Sequence, residues 1–331
     1  MAEHREHLAL MSSLIFATQA LGEGAFGKVL LAQRRDTGEY VAVKLEAGHI
    51  KAKQLAIEAS VIKALSGRRN LPTFISFGPW KDGLALVMPR LGPSMETLRQ
   101  MASRHRLSVT TVAWVAVEAL QAIYQLHKAG LMHRDIKPDN MLINPPGQPR
   151  GLFLIDFGMA KQFVDDRGAH IPWINGKSLL GTPRFASPWT HQGQQQSRRD
   201  DMVCLAYSLL YLVNGSLPWQ GMPPAHRRAD EHDANTGILR EKLRCTAEIL
   251  GKDLPHPFRD FLSASLHLEF EEKPEYNRWI RRFARLLPDR FVLDWEPDHV
   301  LPLTAAGAGT GAGAGRRSSR RREIRVGAAD T

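Results

Sequence analysis

The chain has 331 residues, 43% of them hydrophobic and 24% charged, and its 44 Lys and Arg against 34 Asp and Glu give a formal net charge of +10. This hydrophobic content excludes a wholly disordered chain, and a count of two cysteines excludes a small domain held together by disulfides. The length suits one large domain or two lobes that share a site. The basic balance is compatible with a nucleic-acid partner, an anionic substrate or a basic tail.

The N-terminal region is largely apolar from Leu8 to Ala20, but Glu3 and Glu6 spoil the positive leader that a signal peptide requires. We therefore predict a short N-terminal leader over residues 1–13 and a first strand that begins at Leu14.

A glycine-rich segment follows this strand, and glycine lets backbone N–H groups approach a phosphate closely. We assign nucleotide contacts to Gly22, Glu23, Gly24, Ala25, Phe26, Gly27 and Val29. A dinucleotide-binding loop with the same glycine spacing would open a helix. Here a β-rich segment, a turn at 36–38 and a second β-rich segment predict a hairpin instead.

The second strand of this hairpin carries Lys44 in a V-A-V-K setting, which is typical of a lysine that pairs with nucleotide phosphates. Such a lysine needs a carboxylate to orient it. Apolar spacing predicts a helix over residues 51–66 that Gly67 stops, and we assign Glu58 within it as the partner of Lys44.

A second helix is predicted from Ser108 to Gly130, with Ser108 as its N-cap. The segment His133-Arg134-Asp135-Ile136-Lys137-Pro138-Asp139-Asn140 follows it, and a later apolar run leads into Asp156-Phe157-Gly158. This order predicts phosphoryl transfer, for which a protein supplies positioning and charge neutralisation. In that chemistry, Asp135 accepts the substrate hydroxyl proton and Lys137 neutralises the phosphoryl group. Asn140 and Asp156 hold Mg²⁺.

These separated signatures resemble those of the eukaryotic protein kinases over about residues 14–296. The resemblance implies an α+β bilobal fold. Its β-rich N-lobe with one regulatory helix spans about 14–88, its hinge spans 89–92, and its mainly helical C-lobe spans 93–296. It also implies ATP and Mg²⁺ as cofactors and, from the position of Lys137, serine/threonine specificity.

Five segments resemble the casein kinase I family more closely, and they are 91–94, 181–187, 197–201, 215–221 and 272–276. The usual A-P-E motif is replaced by Ala186-Ser187-Pro188-Trp189, as in that family. Tau-tubulin and vaccinia-related kinases remain alternatives. The resemblance adds Ala42, the gatekeeper Met88, and the hinge residues Pro89 and Leu91 to the ATP contacts. Pro89 keeps the carbonyl that adenine needs, and Leu91 supplies the N–H.

The family prefers serine or threonine near acidic or phosphorylated residues, which basic side chains bind. By this resemblance we assign a substrate-anion site to Arg134, Lys161, Lys177 and Arg184. The later segment keeps Arg227 and Arg228 but then has Asp230 where the family has lysine, which leaves the strength of phosphate priming open.

The segment between Phe157 and Thr182 contains Ser178 as its single serine or threonine. We therefore predict that activity does not require phosphorylation of this activation segment.

The end of the chain is of low complexity, and we predict a disordered tail over 297–331. From residue 304 it carries six Arg against Glu323 and Asp330, a net charge of +4. The Arg run is either a solvated end or a nuclear-localisation or anion-binding patch.

We expect protein substrates, a monomeric protein and a location in the cytoplasm. If the Arg run is a nuclear-localisation signal, we expect a location in the nucleus as well. No membrane span is expected, because the longest apolar stretch, 202–213, is well short of ~20 residues. A nucleic-acid partner would rest on charge alone and is not expected. A non-catalytic pseudokinase is the rival interpretation, but such proteins usually lose residues like Lys44, Asp135 and Asp156, which this chain retains.

Overall fold

The computed structural model describes residues 2–24, 27–47, 54–222 and 231–296. Several sequence predictions lie outside these described residues: the nucleotide contacts of Ala25 and Phe26, the basic segment up to Asp230, and the Arg-rich tail.

The N-lobe is built on a five-stranded antiparallel sheet in the order β1-β2-β3-β5-β4. Its elements in chain order are α1 Ala2–Ser13, β1 Leu14–Gly24, β2 Gly27–Arg34, β3 Tyr40–Ala47, α2 Gln54–Leu65, β4 Ser76–Trp80 and β5 Gly83–Pro89. The predicted hairpin is confirmed as β2 and β3. In the sheet register, Lys44 of β3 lies opposite Val29 of β2 and Leu86 of β5.

Residues 2–13, predicted as a leader without assigned secondary structure, form helix α1. Glu3, His7 and Met11 are four positions apart and therefore share one face of the helix. Met11 is buried in the small core of the sheet, and His7 Nδ1 lies 2.7 Å from Ser76 Oγ on β4. Glu3 pairs with Lys63 on α2 at 2.9 Å, so α1 contacts both the sheet and α2.

The predicted helix is confirmed over its described part as α2. The helix ends at Leu65, and Gly67 follows with a φ of +81°. One face of α2 is buried by aliphatic residues and also by Glu58, whose side chain is 3% exposed. A carboxylate at such a position requires a partner, and the site described below supplies one.

The C-lobe is mainly helical. Its helices are α3 Met95–Met101, α4 Val109–Lys128, α5 Pro188–His191, α6 Arg198–Asn214, α7 Glu231–Arg244, α8 Ala247–Leu250, α9 His256–Leu266 and α10 Tyr276–Ala284. Two short antiparallel pairs join β6 Leu131–Met132 to β9 Lys161–Gln162 and β7 Met141–Ile143 to β8 Leu152–Leu154. The expected α+β bilobal fold is confirmed.

Helices α4 and α6 form the buried centre of this lobe. The predicted helix of residues 108–130 is confirmed as α4, and the side chain of its N-cap, Ser108, accepts a hydrogen bond from the backbone of Thr111 at 3.2 Å. Among the helices of the described ranges, α4 has the length and hydropathy of a membrane span, but most of it is buried within the protein. Its apolar character therefore fits a core helix.

Candidate active site

Lys44 makes two ion pairs that join β3, α2 and the segment after β8. Its Nζ lies 2.6 Å from Glu58 Oε2 and 2.9 Å from Asp156 Oδ1. Burial opposes the charged form of Lys44, but the two carboxylates outweigh it and raise the pKa of the ammonium. Burial would likewise raise the pKa of Asp156, but Lys44 holds it below its ordinary value. The lysine is therefore a fixed cation at the base of the cleft between the lobes.

Asp156 has a left-handed backbone with a φ of +67°, which is uncommon for a residue other than glycine. The next residue, Phe157, is fully buried, and its ring meets the edge of the His133 ring at 5.2 Å between centroids. His133 Nε2 in turn lies 2.9 Å from the carbonyl oxygen of Ile155. These contacts on both sides of Asp156 hold its strained backbone in place.

The loop that carries Asp135 is held by hydrogen bonds to Asp201 on α6. The two carboxylate oxygens of Asp201 accept hydrogen bonds from the backbone N–H groups of His133 and Arg134, each at 2.8 Å. Arg134 has a φ of +73° at this point. The sequence shows a family motif over residues 197–201, but no local pattern predicts that Asp201 binds the backbone of the loop that carries Asp135.

Asp135 is the centre of a hydrogen-bond cluster. One of its oxygens accepts hydrogen bonds from Lys137 Nζ at 2.7 Å, and the other from the backbone N–H and the hydroxyl of Thr182 at 2.9 and 2.8 Å. Lys137 Nζ also donates to Thr182 Oγ1 at 3.0 Å. Asn140 Nδ2 donates to the backbone carbonyl of Asp135 at 2.9 Å. Thr182 was not predicted as a site residue, and it joins the activation segment to the catalytic loop.

Gly181 allows this close approach. A Cβ at this position would lie 2.6 Å from the carbonyl oxygen of Arg134, and the φ of Gly181 is +90°. A side chain here would therefore separate Thr182 from Asp135.

The predicted magnesium ligands, Asn140 and Asp156, are adjacent, because the backbone N–H of Ile155 donates to the carbonyl of Asn140 at 3.0 Å. The amide nitrogen of Asn140 is used by Asp135, which leaves its Oδ1 as the available atom. Asp156 engages Lys44 through Oδ1, and its side chain is 40% exposed. Two oxygen donors of this kind fit Mg²⁺, which takes one or two protein oxygens together with substrate phosphates.

Several of the residues predicted to contact the nucleotide lie on strands of the N-lobe sheet. Ala42 lies opposite Met88 in the β3–β5 register, and Gly22 and Gly24 lie near the end of β1. Glycine is required at 27, because a side chain there would overlap the carbonyl oxygen of Leu45 and the φ is +149°.

The connection between the lobes begins at Pro89, the last residue of β5. The backbone N–H of Arg90 donates to the carbonyl of Tyr40 at 3.4 Å, and that of Gly92 donates to the carbonyl of Ile143 at 2.8 Å. The N–H of Leu91, between them, makes no hydrogen bond to any other described residue. This arrangement leaves Leu91 as the hinge donor available to a ligand.

Three of the four residues assigned to the substrate anion come together. Lys161 Nζ donates to Gln195 Oε1 at 3.2 Å. Burial lowers the pKa of Lys161, and the nearby charges of Arg134 and Lys177 lower it further. None of the three cations forms an ion pair with a carboxylate in the described ranges.

Arg184 lies with a different set of residues. Its guanidinium is 5.4 Å from the ring centroid of Tyr211, and its carbonyl accepts a hydrogen bond from Trp219 Nε1 at 2.8 Å. The contacts of Arg184 are therefore with Tyr211 and Trp219, and its role in the predicted anion site stays a prediction.

The protein kinase domain family model matches residues 16–281 of the chain, about four fifths of its length. The match begins in β1 and ends in α10, and it includes every site residue described above.

Proposed function

The chain belongs to the protein kinase family, and on that premise we propose that it is an active serine/threonine kinase of the casein kinase I type. It transfers the γ-phosphoryl group of ATP to serine or threonine in proteins, favouring sites near acidic or phosphorylated residues. The observation that carries the proposal of activity is the ion pair between Lys44 and Glu58 together with the contact of Lys44 to Asp156.

The side chains support in-line transfer without further rearrangement. Asp135 would orient the substrate hydroxyl and accept its proton as the hydroxyl oxygen bonds to phosphorus and ADP leaves. Lys137 lies within 2.7 Å of Asp135 and brings a positive charge to the transferred group. Lys44, held by Glu58, orients the nucleotide phosphates. Magnesium held by Asn140 and Asp156 would neutralise the charge of the phosphates.

The preference for anionic substrates rests on Arg134, Lys161 and Lys177. The charges of Arg134 and Lys177 oppose the charged form of Lys161, and a phosphate or an acidic side chain would relieve that repulsion. The planar guanidinium of arginine also suits bidentate contact with phosphate oxygens. Arg184, whose contacts are with Tyr211 and Trp219, stays a predicted member of this site.

The casein kinase I type is supported by the motifs of the sequence and by the replacement of A-P-E by Ala186-Ser187-Pro188-Trp189. Serine/threonine specificity is supported by the position of Lys137.

The test is the rate of phosphate transfer to matched peptides that carry serine, threonine or tyrosine, each with and without a phosphoserine nearby. We expect transfer to the serine and threonine peptides and a preference for the phosphorylated versions. The double variant K161M/K177M should lose about tenfold or more in kcat/KM on the phosphorylated peptide and little on the other.

Lys252, an exposed lysine of the same lobe, gives the matched control K252M, which should behave like the wild type. Transfer that persists in D156N would reveal a contaminating kinase. Equal rates on phosphorylated and unphosphorylated peptides would overturn the substrate preference, and transfer to tyrosine alone would overturn the specificity.

A further inference from the structure

Lys242 on α7 is a lysine buried at a position where the sequence gave no sign of function. It is 3% exposed. Its Nζ donates to the backbone carbonyls of Pro183 at 2.8 Å and Ala186 at 2.5 Å, and it lies 3.1 Å from His191 Nε2. All three acceptors belong to the segment after Thr182 or to the short helix α5.

The surroundings of Lys242 match an ammonium group. Its nitrogen lies 5.1 Å from the ring centroid of Tyr207 and 5.2 Å from that of Trp219, and such ring faces attract a cation. An ammonium has three N–H donors, which equals the number of acceptors around it. Burial and the charge of Lys242 lower the pKa of His191 to about 4, so its imidazole is neutral. In the tautomer that carries its proton on Nδ1, Nε2 accepts from Lys242.

No carboxylate forms an ion pair with Lys242 among the described residues. Burial lowers its pKa to about 7, which is the usual response of a buried ammonium without a counter-charge. A buried cation is costly. Here that cost is offset by hydrogen bonds to the backbone of one short segment.

That segment, residues 182–187, is tied to the reaction at its first residue. Thr182 bonds to Asp135 and Lys137. Its last residue, Ser187, donates to the buried carboxylate of Asp200 and caps α5. The carbonyls that Lys242 holds lie between these two ends, so the ammonium sets how far this stretch stands from α6 and α7.

We propose that Lys242 is a positioning residue for the peptide substrate. Its ammonium fixes the backbone of residues 182–187 so that a peptide lying along this segment presents its hydroxyl to Asp135. The inference rests on the proposed protein kinase activity. In this chain, which lacks the A-P-E motif, one buried cation thus supports residues 182–187, along which the peptide lies.

The test replaces Lys242 by methionine, which keeps the volume and removes the donors. The control R240M removes one positive charge from an exposed position of the same helix. K242M should lower kcat/KM for peptide by about tenfold or more, mainly through a higher KM for the peptide, because the hydrogen bonds of a charged donor to the carbonyls of Pro183 and Ala186 are lost. The KM for ATP should stay within about twofold, because the nucleotide contacts lie elsewhere. K242R, which keeps charge and donors, should recover part of the loss, and R240M should match the wild type.

Hydrogen exchange gives a readout that does not depend on catalysis. In K242M, backbone amides of residues 182–187 should exchange faster than in the wild type, with α4 and α9 unchanged. If the wild type transfers no phosphate, the proposed function fails, and this exchange pattern still decides whether Lys242 holds the segment.

Unchanged peptide KM together with unchanged exchange in residues 182–187 would overturn the inference. So would faster exchange across the whole C-lobe with equal losses for ATP and peptide, which would mean a purely structural role. If K242M does not fold, K242Q replaces it in the same measurements, with the same outcomes deciding.

Discussion

The imidazole of His127 and the carboxylate of Asp201 form a hydrogen bond of 2.9 Å, and both side chains are almost completely buried. The other ring nitrogen of His127 lies 2.7 Å from the hydroxyl of Tyr276 on α10. Burial would raise the pKa of Asp201, but the contact with His127 holds it below its ordinary value. A chain of three side chains thus connects the last helix of the described C-lobe to the loop that carries Asp135.

D201N should lower both stability and activity. The backbone N–H groups of His133 and Arg134 bind different oxygens of Asp201, and the amide replaces one of these oxygens with an NH2 group that cannot accept. We expect a loss of about 3 kcal/mol in the free energy of unfolding and a lower kcat, measured by urea unfolding and by phosphate transfer. The exposed Asp253 gives the control D253N, which should change neither. A D201N protein with wild-type stability would show that these bonds contribute little.

Asp200, the neighbour of Asp201, should make the free energy of unfolding depend on pH. It is fully buried, and burial raises its pKa from 3.8 to about 6. The folded state therefore holds a proton that the unfolded state releases, so this group's contribution to stability is complete below pH ~4 and is lost as the pH rises through ~6. D200N mimics the protonated form. Relative to the wild type, its stability should rise by up to about 3 kcal/mol between pH 4 and 7. Urea unfolding across this range measures the difference, and a difference independent of pH would contradict the shift.

Glu58 should matter to catalysis through Lys44. E58Q removes the charge that holds the ammonium, while Asp156 remains. We expect kcat/KM for ATP to fall by about 10- to 100-fold, with the fold retained by circular dichroism. K63M alters an exposed lysine of the same helix, α2, and should leave kcat/KM unchanged. Activity of E58Q equal to that of K63M would mean that Lys44 is held by Asp156 alone.

Activity should not depend on phosphorylation of Ser178. The contacts of Lys44 with Glu58 and of Thr182 with Asp135 are made by the unmodified chain. S178A and phosphatase-treated wild-type protein should both retain kcat within about twofold. A loss of transfer after either treatment would show that the segment needs a phosphate to reach this arrangement.

Gly78 should be needed for the docking of α1. A Cβ at this position would lie 2.7 Å from the ring of His7, and a buried ring has little room to move. G78A should lower the free energy of unfolding by about 1–3 kcal/mol and speed hydrogen exchange in residues 2–13. Gly237 has open space around it, so G237A should be neutral or stabilising. Equal stability of the two variants would mean that α1 contributes little to the N-lobe.

Local sequence patterns were sufficient to predict the main elements that carry the site. The hydrophobic spacing of α4 and its Ser108 cap are properties of neighbouring residues, and the structure confirms both. The assignment of Glu58 to Lys44 used the order of motifs along the chain, and the two atoms lie 2.6 Å apart. Their catalytic roles stay predictions.

The residues that sequence reasoning missed make contacts across long separations. Lys242 reaches Pro183 from 59 positions away, and His7 reaches Ser76 from 69. Helix α1 also escaped prediction because the face it buries includes His7, which hydrophobic periodicity does not register.

The connection between the lobes has few free torsions. The ring of Pro89 fixes its φ, and the backbone N–H groups of Arg90 and Gly92 are tied to the N-lobe and C-lobe respectively. A Cβ at Gly92 would lie 2.7 Å from the carbonyl oxygen of Asn144, so this residue is held close to the C-lobe. A change in the angle between the lobes would therefore depend mainly on rotations around Arg90 and Leu91. The two lobes are thus joined by a short connection whose freedom to rotate is confined to two residues.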